Sequence, residues 1–266
     1  MKVQVAFDLS ANGVGDYFTL DDTTKGVLDN VTYLLGGDVL VDLTDRVRAV
    51  QVKRGRNRQL ERFTAGAANI TFDNRDRYLD PTYDSSPHFG SIVPGKQVII
   101  EHDNQLLYTG QVADWNLDYD IGGDSTAEAS CVDGFASLAR HTLTDGTATP
   151  QATGARINAA LTDVSWPLTR RSISAGQGQL GSDVIAPETN ALTYMQQVEA
   201  SEYGALFVSK SGSMTFRDRN DLQAYTSNVQ FGPSSIPFTA IDVEYGSEEL
   251  YNTVTVTYNG GTVLYS

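Results

Sequence analysis

The sequence predicts a mainly β protein with a small α/β insertion. Much of the 266-residue chain lies in short stretches in which apolar and polar side chains alternate, which is the pattern of a half-buried strand. Gly, Asn, Asp and Pro separate these stretches, and the longer helical patterns are confined to residues 146–204. Because strands and helices do not alternate along the chain, barrels or sandwiches are expected in place of parallel βαβ units.

The first predicted domain, residues 1–145, is a β-barrel built from successive strands. The turn-forming pair Asn12 and Gly13 separates its first two strands. A short helix directly after Asp133 and Gly134 closes the domain. The predicted strands are residues 2–9, 17–21, 39–43, 47–54, 68–73, 97–102, 106–112 and 127–132, and the closing helix is residues 135–140.

The second predicted domain, residues 146–204, is a helical and mixed insertion that begins after a stretch rich in small and helix-breaking residues. Its first helix, at residues 152–161, has two apolar side chains at i and i+4. Its second helix, at residues 189–201, carries an apolar stripe at helical spacing, and this stripe is expected to belong to the core. The apolar side chains are Ile157 and Leu161 in the first helix and Leu192, Met195 and Val198 in the second.

The third predicted domain, residues 205–266, returns to alternating strands and is expected to be a second β-barrel. Residues 71–77 and 215–219 both end a strand in Thr-Phe followed by alternating charges, which is a weak internal repeat. The last strand pattern stops near Ser266, before a second barrel has enough strands. We expect either that the chain is part of a longer protein or that another chain completes the barrel, since an unpaired strand edge promotes association.

The charge of the chain is uneven. The net charge is −14, yet the basic segment, residues 46–62, holds seven basic side chains against one acid and therefore carries +6, which leaves −20 for the rest. An acidic body repels nucleic acid, because DNA binding depends on cations that displace phosphate counterions. Three interpretations of the basic segment are open: a solvated hairpin, a protein interface that faces an acidic neighbour, and direct DNA binding.

Composition argues against several classes of protein. No apolar run approaches the roughly 20 residues that cross a bilayer, so no membrane span is expected. The alternating N-terminus lacks the apolar core of a signal peptide, which predicts synthesis in a cytoplasm. The lone Cys131 excludes an internal disulfide and a cysteine-ligated metal site, and its small apolar neighbours predict a core residue.

One pattern resembles a cofactor site. Gly176, Gly178 and Gly181 have the spacing of a dinucleotide fingerprint, which functions only between a strand and an immediately following helix. Pro187 lies where the first turns of that helix would have to be. A loop is therefore predicted, and no cofactor is expected.

A second pattern resembles a calcium loop, because acidic or amide side chains occupy every second position from Asp114 to Asp120. The sixth position is Tyr119 and not glycine, and the twelfth is Ser125 and not glutamate, whereas an EF-hand needs both. A strand with one acidic and one apolar face is predicted, with a weak surface cation site as the alternative. His88, His102 and His141 show no nucleophile–base pattern, so no catalytic residue is assigned.

An ordered block of motifs resembles one family of proteins. These are an RGR turn at residues 54–56, an ERF-x-AG step at 61–66, an ITFDNRDR strand end at 70–77 and an SPxxGxIxPGK connection at 86–96. In this order they resemble the hub, or minor tail, proteins of long-tailed bacteriophages, particularly those of actinobacteria, which are related to the baseplate hub of contractile tails. Stretches after residue 165 are similar to that family as well.

The resemblance implies a structural, non-enzymatic protein of the virion with two barrels of the tail-hub type, the second incomplete in this chain. Its relatives are homotrimers whose six barrels form a ring below the tail tube. Such a ring joins the tube or distal tail protein to the spike, fibre or other tip proteins, and surrounds the channel for DNA and the tape measure protein. The protein interface is then expected in the basic segment, at Lys53, Arg54, Arg56, Arg58 and Arg62. Asn74, Arg75 and Arg77 are expected mainly to shape the strand end and turn.

Two alternatives are open at this point. The chain can be a host-recognition or cell-wall-degrading module of the tail tip, although the relatives carry such activities in additional C-terminal domains. It can also be the distal tail ring protein above the hub, which shares the barrel ancestry. Copy number separates these assignments, because the distal ring has six copies and the hub has three.

Overall fold

In the computed structural model, the described residues are 1–8, 20–24, 26–27, 38–56, 61–223, 232, 240, 253–258 and 261–265. The chain divides into two compact units, Met1–Ala224 and Tyr225–Ser266. Strands predominate over helices in the described residues, which confirms the mainly β class. The two units are described in turn.

The first unit begins with a seven-stranded antiparallel sheet. Its order is β2-β1-β5-β6-β7-β4-β3, so the second and third strands along the chain occupy its two edges. The strands are β1 (Lys2–Asp8), β2 (Asp38–Asp42), β3 (Val47–Lys53), β4 (Ala67–Asp73), β5 (Gln97–His102), β6 (Gln105–Asp118) and β7 (Thr126–Val132).

The short connection between the two edge strands forces the sheet to curl. Six strand spacings of about 4.8 Å would place β2 and β3 about 29 Å apart in a flat sheet. The four residues 43–46 between them can span only about 17 Å. The sheet therefore bends its edges towards each other. Within the described residues β2 and β3 are not paired with each other, so the predicted barrel is not closed by hydrogen bonds.

The concave face of this sheet holds the first hydrophobic core. Alternation fixes which side chains enter it: in β4, Ala68, Ile70 and Phe72 are buried, while the residues between them are more exposed. In β7, the buried side chains are those of Ala127, Ala129 and Cys131. Cys131 is therefore a core residue, as predicted. Burial of the Cys131 thiol raises its pKa to about 12, so the thiol stays protonated and unreactive.

The predicted turn after β4 is confirmed. The Asn74 side chain accepts a hydrogen bond from the Leu79 amide (2.8 Å) and donates one to the Leu79 carbonyl (3.3 Å). Arg77 adopts a positive φ of 59°, and its guanidinium contacts the buried Asp80 carboxylate at 2.8 Å. These bonds hold the start of the long connection to β5. Asn74 and Arg77 are therefore structural residues, as the sequence predicted.

A second hydrophobic core in the same unit contains the helices. They are α1 (Gly134–Leu138), α2 (Thr153–Asp163), α3 (Ala191–Ala200) and α4 (Arg219–Gln223). Short strands surround them: β8 (Gly146–Ala148), β9 (Gln151–Ala152), β10 (Arg171–Ile173), β11 (Gln179–Leu180), β12 (Asp183–Ile185), β13 (Ala205–Val208) and β14 (Met214–Arg217). The pairings are β10-β14-β13, β11-β9 and β12-β8.

The predicted helices of the insertion are confirmed, with bounds within two residues. Ile157, Leu161, Met195 and Val198 are buried in the second core, and Leu192 packs against it. The predicted closing helix is α1, and the Asp133 carboxylate caps its start by accepting from the Phe135 amide. Helix α1 also belongs to this core.

Three sequence predictions have a different outcome. Residues 20–21 form a turn and not the end of a strand, and most of the predicted strand 17–21, with Asn12 and Gly13, lies outside the described residues. The strand predicted at residues 106–112 continues into the alternating stretch that begins at Asp114. Both belong to one strand, β6, which runs to Asp118, six residues beyond the predicted end at residue 112. The pair β13–β14 shares the helical core, whereas the sequence assigned it to a second barrel. The domain boundaries themselves stay a prediction.

The second unit contains one described hairpin. Strands β15 (Val254–Tyr258) and β16 (Gly261–Tyr265) pair antiparallel, with Val256 opposite Val263. The predicted strand at residues 241–246 lies outside the described residues.

Candidate protein-interaction site

The first part of the basic segment is neutralised within the chain. The Arg46 guanidinium donates two hydrogen bonds of 2.8 Å to the Asp76 carboxylate and lies 3.7 Å from the centroid of the Tyr78 ring. Its hydrogen bond lowers the pKa of Asp76. Arg48 reaches Asp124 at 2.9 Å and Asp73 at 3.2 Å. These two arginines therefore offer little free charge to a partner.

Arg54 connects the two hydrophobic cores of the first unit through hydrogen bonds. Its guanidinium donates to the Leu107 carbonyl of β6 (3.0 Å) and to the Val208 carbonyl of β13 (3.1 Å). It thereby joins the curled sheet to the helical core. Desolvation by burial lowers the pKa of Arg54. The predicted interface residue Arg54 is exposed, but it donates to two backbone carbonyls of its own chain.

The ERF-x-AG step makes a second connection between the two cores. The Asp133 carboxylate accepts from the Gly66 amide at 2.6 Å and from the Phe135 amide at 3.0 Å. A Cβ atom at Gly66 would lie 2.7 Å from Asp133 Oδ2, so only glycine allows this approach. Phe63 packs against Phe207 with ring centroids 4.9 Å apart. This motif positions the two cores and does not form a reactive site.

Burial raises the pKa of Asp133. A cavity of about 240 Å³ next to Asp133 is lined by Arg54, Phe63, Gly66 and Val208, among others. Two amide donors and the nearby guanidinium satisfy the carboxylate, so the group is part of the junction.

Three of the five predicted interface residues can face a partner. Lys53 is exposed, and no described residue forms an ion pair with it. Arg62 is exposed as well. The Arg56 guanidinium lies 4.9 Å from the Phe63 ring centroid, and its hydrogen bond to the Glu61 carbonyl is long at 3.5 Å. Arg58 lies outside the described residues.

The opposite end of the sheet is acidic. The β6–β7 hairpin, residues 114–130, ends in a tip where the side chains of Asp118, Tyr119, Asp120 and Ile121 are exposed. Alternation along β6 is as predicted, with Asp114 and Asn116 exposed and Trp115 and Leu117 half-buried. The tip is braced by the Asp120 carboxylate, which accepts from the Gly122 amide at 3.0 Å.

The calcium-like pattern does not converge on one point. The strand conformation of β6 sends Asp114 and Asp118 along one face, several residues apart. Within the described part of the chain, no group of three or more His, Cys, Asp or Glu side chains lies close enough to hold a metal ion.

The glycine-rich stretch at 176–181 is a loop up to Gly178, followed by the short strand β11 (Gln179–Leu180). A buried carboxylate that sequence analysis missed organises this loop. Glu202 accepts from the Gln177 amide (2.7 Å), the Gly178 amide (3.0 Å) and the Thr153 hydroxyl. Burial raises the pKa of Glu202, but these bonds outweigh it, so the pKa is lowered. Gly176 has a φ of +85°, which favours glycine.

A cleft of about 410 Å³ lies where the sheet meets the helical core. Gln97 and Gln111 line it on the sheet side, and His141, Trp166 and Arg170 line it on the other. The Trp166 indole donates to the Arg170 carbonyl at 2.9 Å. Trp166 is half-buried in the loop after α2. The described helices are too short or too polar to span a membrane.

Comparison with known proteins rests on structure. No family model matches the sequence, and no curated protein matches it. A tail protein from Neisseria meningitidis is similar over 82% of this chain and 66% of its own, at 14% identity and a TM-score of 0.54. A 43 kDa tail protein of prophage MuSo2 from Shewanella oneidensis matches over 63% of this chain and 53% of its own, at 15% identity and a TM-score of 0.45.

A prophage tail protein from Listeria monocytogenes matches over 86% of this chain and 64% of its own, at 11% identity and a TM-score of 0.46. The chain thus spans between half and two thirds of the length of these structures. The fold shared with the Neisseria meningitidis protein confirms, at the level of fold, the predicted relation to tail proteins.

Proposed function

We propose that the chain is a structural protein of a phage tail tip or a related tail-like particle, without enzymatic activity. The observation that carries this proposal is the fold shared with the Neisseria meningitidis tail protein over most of the chain. Function at such an assembly depends on surfaces and not on a reactive site. Its location is accordingly the virion, after synthesis in the host cytoplasm.

The finer assignment is the hub ring. Three copies, each with a curled sheet and a second barrel, would form a closed ring between the tail tube or distal tail protein and the spike or tip proteins. The acidic body supports this assignment, because a channel with a wall of negative charge lets DNA and the tape measure protein pass without capturing phosphates. No specific nucleic-acid binding is proposed.

The proposed interface is the exposed part of the basic segment, with Lys53 and Arg62 as its exposed charges. The experiment is assembly of the parent particle with the double variant Lys53→Glu, Arg62→Glu. Assembly is expected to stop while the isolated chain keeps its fold, since neither side chain is buried. The matched control is Lys210→Glu on the exposed turn after β13. Normal particles from the double variant would refute the interface.

Copy number tests the ring assignment. Imaging of the labelled chain in the particle is expected to show three copies below the tube. Six copies would assign the chain to the distal tail ring. Absence from the particle would refute the tail function altogether.

One observation favours host recognition as the second candidate function. The cleft with Trp166, Gln97 and Gln111 combines an aromatic ring with amide side chains, a combination that can bind a glycan. Titration of cell-wall glycan fragments into the chain tests it, with Trp166→Ala as the variant. Binding that Trp166→Ala abolishes would favour recognition over a purely structural role.

A further inference from the structure

The two charged surfaces of the first unit lie at opposite ends of one sheet. Lys53 is opposite Ala67 in the ladder, which is opposite Val132, and this row marks the basic end. At the other end, Thr126 is opposite Asp118. The six residue-to-residue steps from Val132 to Thr126 extend about 20 Å at about 3.3 Å each.

That separation prevents the two surfaces from neutralising each other within one chain. Screening in physiological salt acts over about 8 Å, well short of the distance between them. Within the described residues, Asp114 and Asp118 form no ion pair, and neither does Lys53. The charges on each end are therefore free to meet a partner of opposite sign.

The acidic end also presents an apolar group. Ile121 at the tip of the β6–β7 hairpin is fully exposed, at 106% of its reference area, and Tyr119 next to it is 52% exposed. Arg48 and Arg75 hold the base of this tip through Asp124, at 2.9 Å and 3.4 Å. An exposed isoleucine on a braced hairpin gains free energy when a partner covers it.

At the basic end, apolar surface accompanies the charge. Arg56 lies over Phe63, which packs on Phe207 at the rim of the small cavity beside Asp133. Each end thus carries both free charge and an apolar group, with opposite signs of charge. One copy of the chain presents both halves of a complementary contact.

We infer that the β6–β7 hairpin tip of one copy docks on the exposed basic side chains of Lys53 and Arg62 of the next copy. The partner is a second copy of this chain, and the contact is head-to-tail, because the two halves lie on different ends of the sheet. Such heterologous contacts form a closed ring when the rotation between copies closes. This inference rests on the proposed function, since it names the partner of the proposed interface.

The test is a charge swap in the full chain, measured by analytical ultracentrifugation over a range of protein and salt concentrations. Lys53→Glu and Asp118→Lys are each expected to weaken self-association about tenfold or more, because like charges then face each other. A chain with both substitutions is expected to recover most of the affinity. Lys210→Glu and Asp145→Lys, at exposed positions, serve as controls without effect.

Ile121→Ser is expected to weaken association without changing its salt dependence. A chain that stays monomeric at all concentrations, or single reversals without effect, would overturn the inference. Particle assembly separates this failure from that of the function. If Lys53→Glu blocks assembly and the swap does not restore it, the partner is a different tail protein, and the hub function stands while the self-contact is refuted.

Discussion

The sheet core and the helical core of the first unit are stabilised in different ways. In the sheet core, long antiparallel ladders satisfy the backbone, and the buried Asn74 and Asp80 lie in the connection after β4. The helical core contains strands of two to four residues and buries charged side chains among its apolar ones, namely Arg156, Glu199, Glu202 and Asp218. Where the ladders between strands are short, they leave buried backbone N–H and C=O groups unpaired. Side chains must then form the hydrogen bonds that these groups need.

Arg156 illustrates this requirement. It is 3% exposed and donates to the Tyr194 hydroxyl (2.9 Å) and to the carbonyls of Thr149 and Gly181 (2.8 Å each). It thereby ties the ends of the β8–β12 and β9–β11 ribbons to helices α2 and α3. Glu199 acts similarly on the other side, where it accepts from the Leu206 amide at 3.0 Å.

The largest effect is expected from a cavity in the sheet core. Phe72→Ala removes a fully buried ring and should lower the free energy of unfolding by about 4 kcal/mol. Urea denaturation followed by far-UV circular dichroism measures it. Leu107→Ala, on the exposed side of β6, is the matched control and should cost far less. Equal losses would show that the apolar face of the sheet does not dominate its stability.

The helical core should respond most to the loss of a polar group. Arg156→Leu places an apolar side chain in the core. One hydroxyl and two carbonyl groups, however, then lack the donor that Arg156 supplied. We expect a loss of about 3 kcal/mol. Arg140→Leu, at an exposed position after α1, controls for the change of residue type. A loss below about 1 kcal/mol would abolish the distinction between the two cores.

The same difference explains what the sequence could predict. Alternation in β4 and β7 and helical spacing in α2 and α3 were visible, because each element repeats its own period. Arg156 and Glu202 were not, because most of their partners are backbone groups up to 25 residues away, and a backbone group leaves no trace in the sequence. The glycines at 176–181 indicated only a loop, and the short strands β11 and β12 were not predicted.

The candidate interface, too, could be predicted only in part from the sequence. The basic composition of residues 46–62 was evident, but not which charges are already paired. Arg46 and Arg48 are neutralised by Asp76, Asp73 and Asp124, which lie 25 to 76 residues away. Lys53 and Arg54 are neighbours in sequence, yet one faces solvent and the other connects two cores. Only the three-dimensional structure separates free charge from committed charge.

Arg54 tests whether the two cores unfold together. Arg54→Met keeps the aliphatic stem and removes the donors to Leu107 and Val208, so we expect a loss of about 2 kcal/mol. Because the bond joins sheet and helical core, unfolding should also broaden or split into two transitions. Lys53→Met is the matched control, with an unchanged denaturation curve. A single sharp transition in Arg54→Met would mean that other contacts couple the cores.

The smallest effect is expected from acid, and it should act on the connection after β4. Burial raises the pKa of Asp80, but hydrogen bonds from Thr82 and Tyr119 and the Arg77 guanidinium outweigh it and lower the pKa to about 2. A carboxyl whose pKa is lower in the folded state stabilises the fold above its unfolded pKa. That contribution is complete above about pH 4 and is lost as the pH falls towards about 2. Asp80→Asn should therefore destabilise the protein near neutral pH and reduce the acid-induced loss, measured as urea midpoints across this range. Asp84→Asn, which removes a carboxylate whose hydrogen bond among the described residues is to Ser85, should leave the acid dependence intact. If the acid-induced loss of stability is unchanged in Asp80→Asn, it arises from other carboxylates with a lowered pKa, such as Asp76 and Glu202.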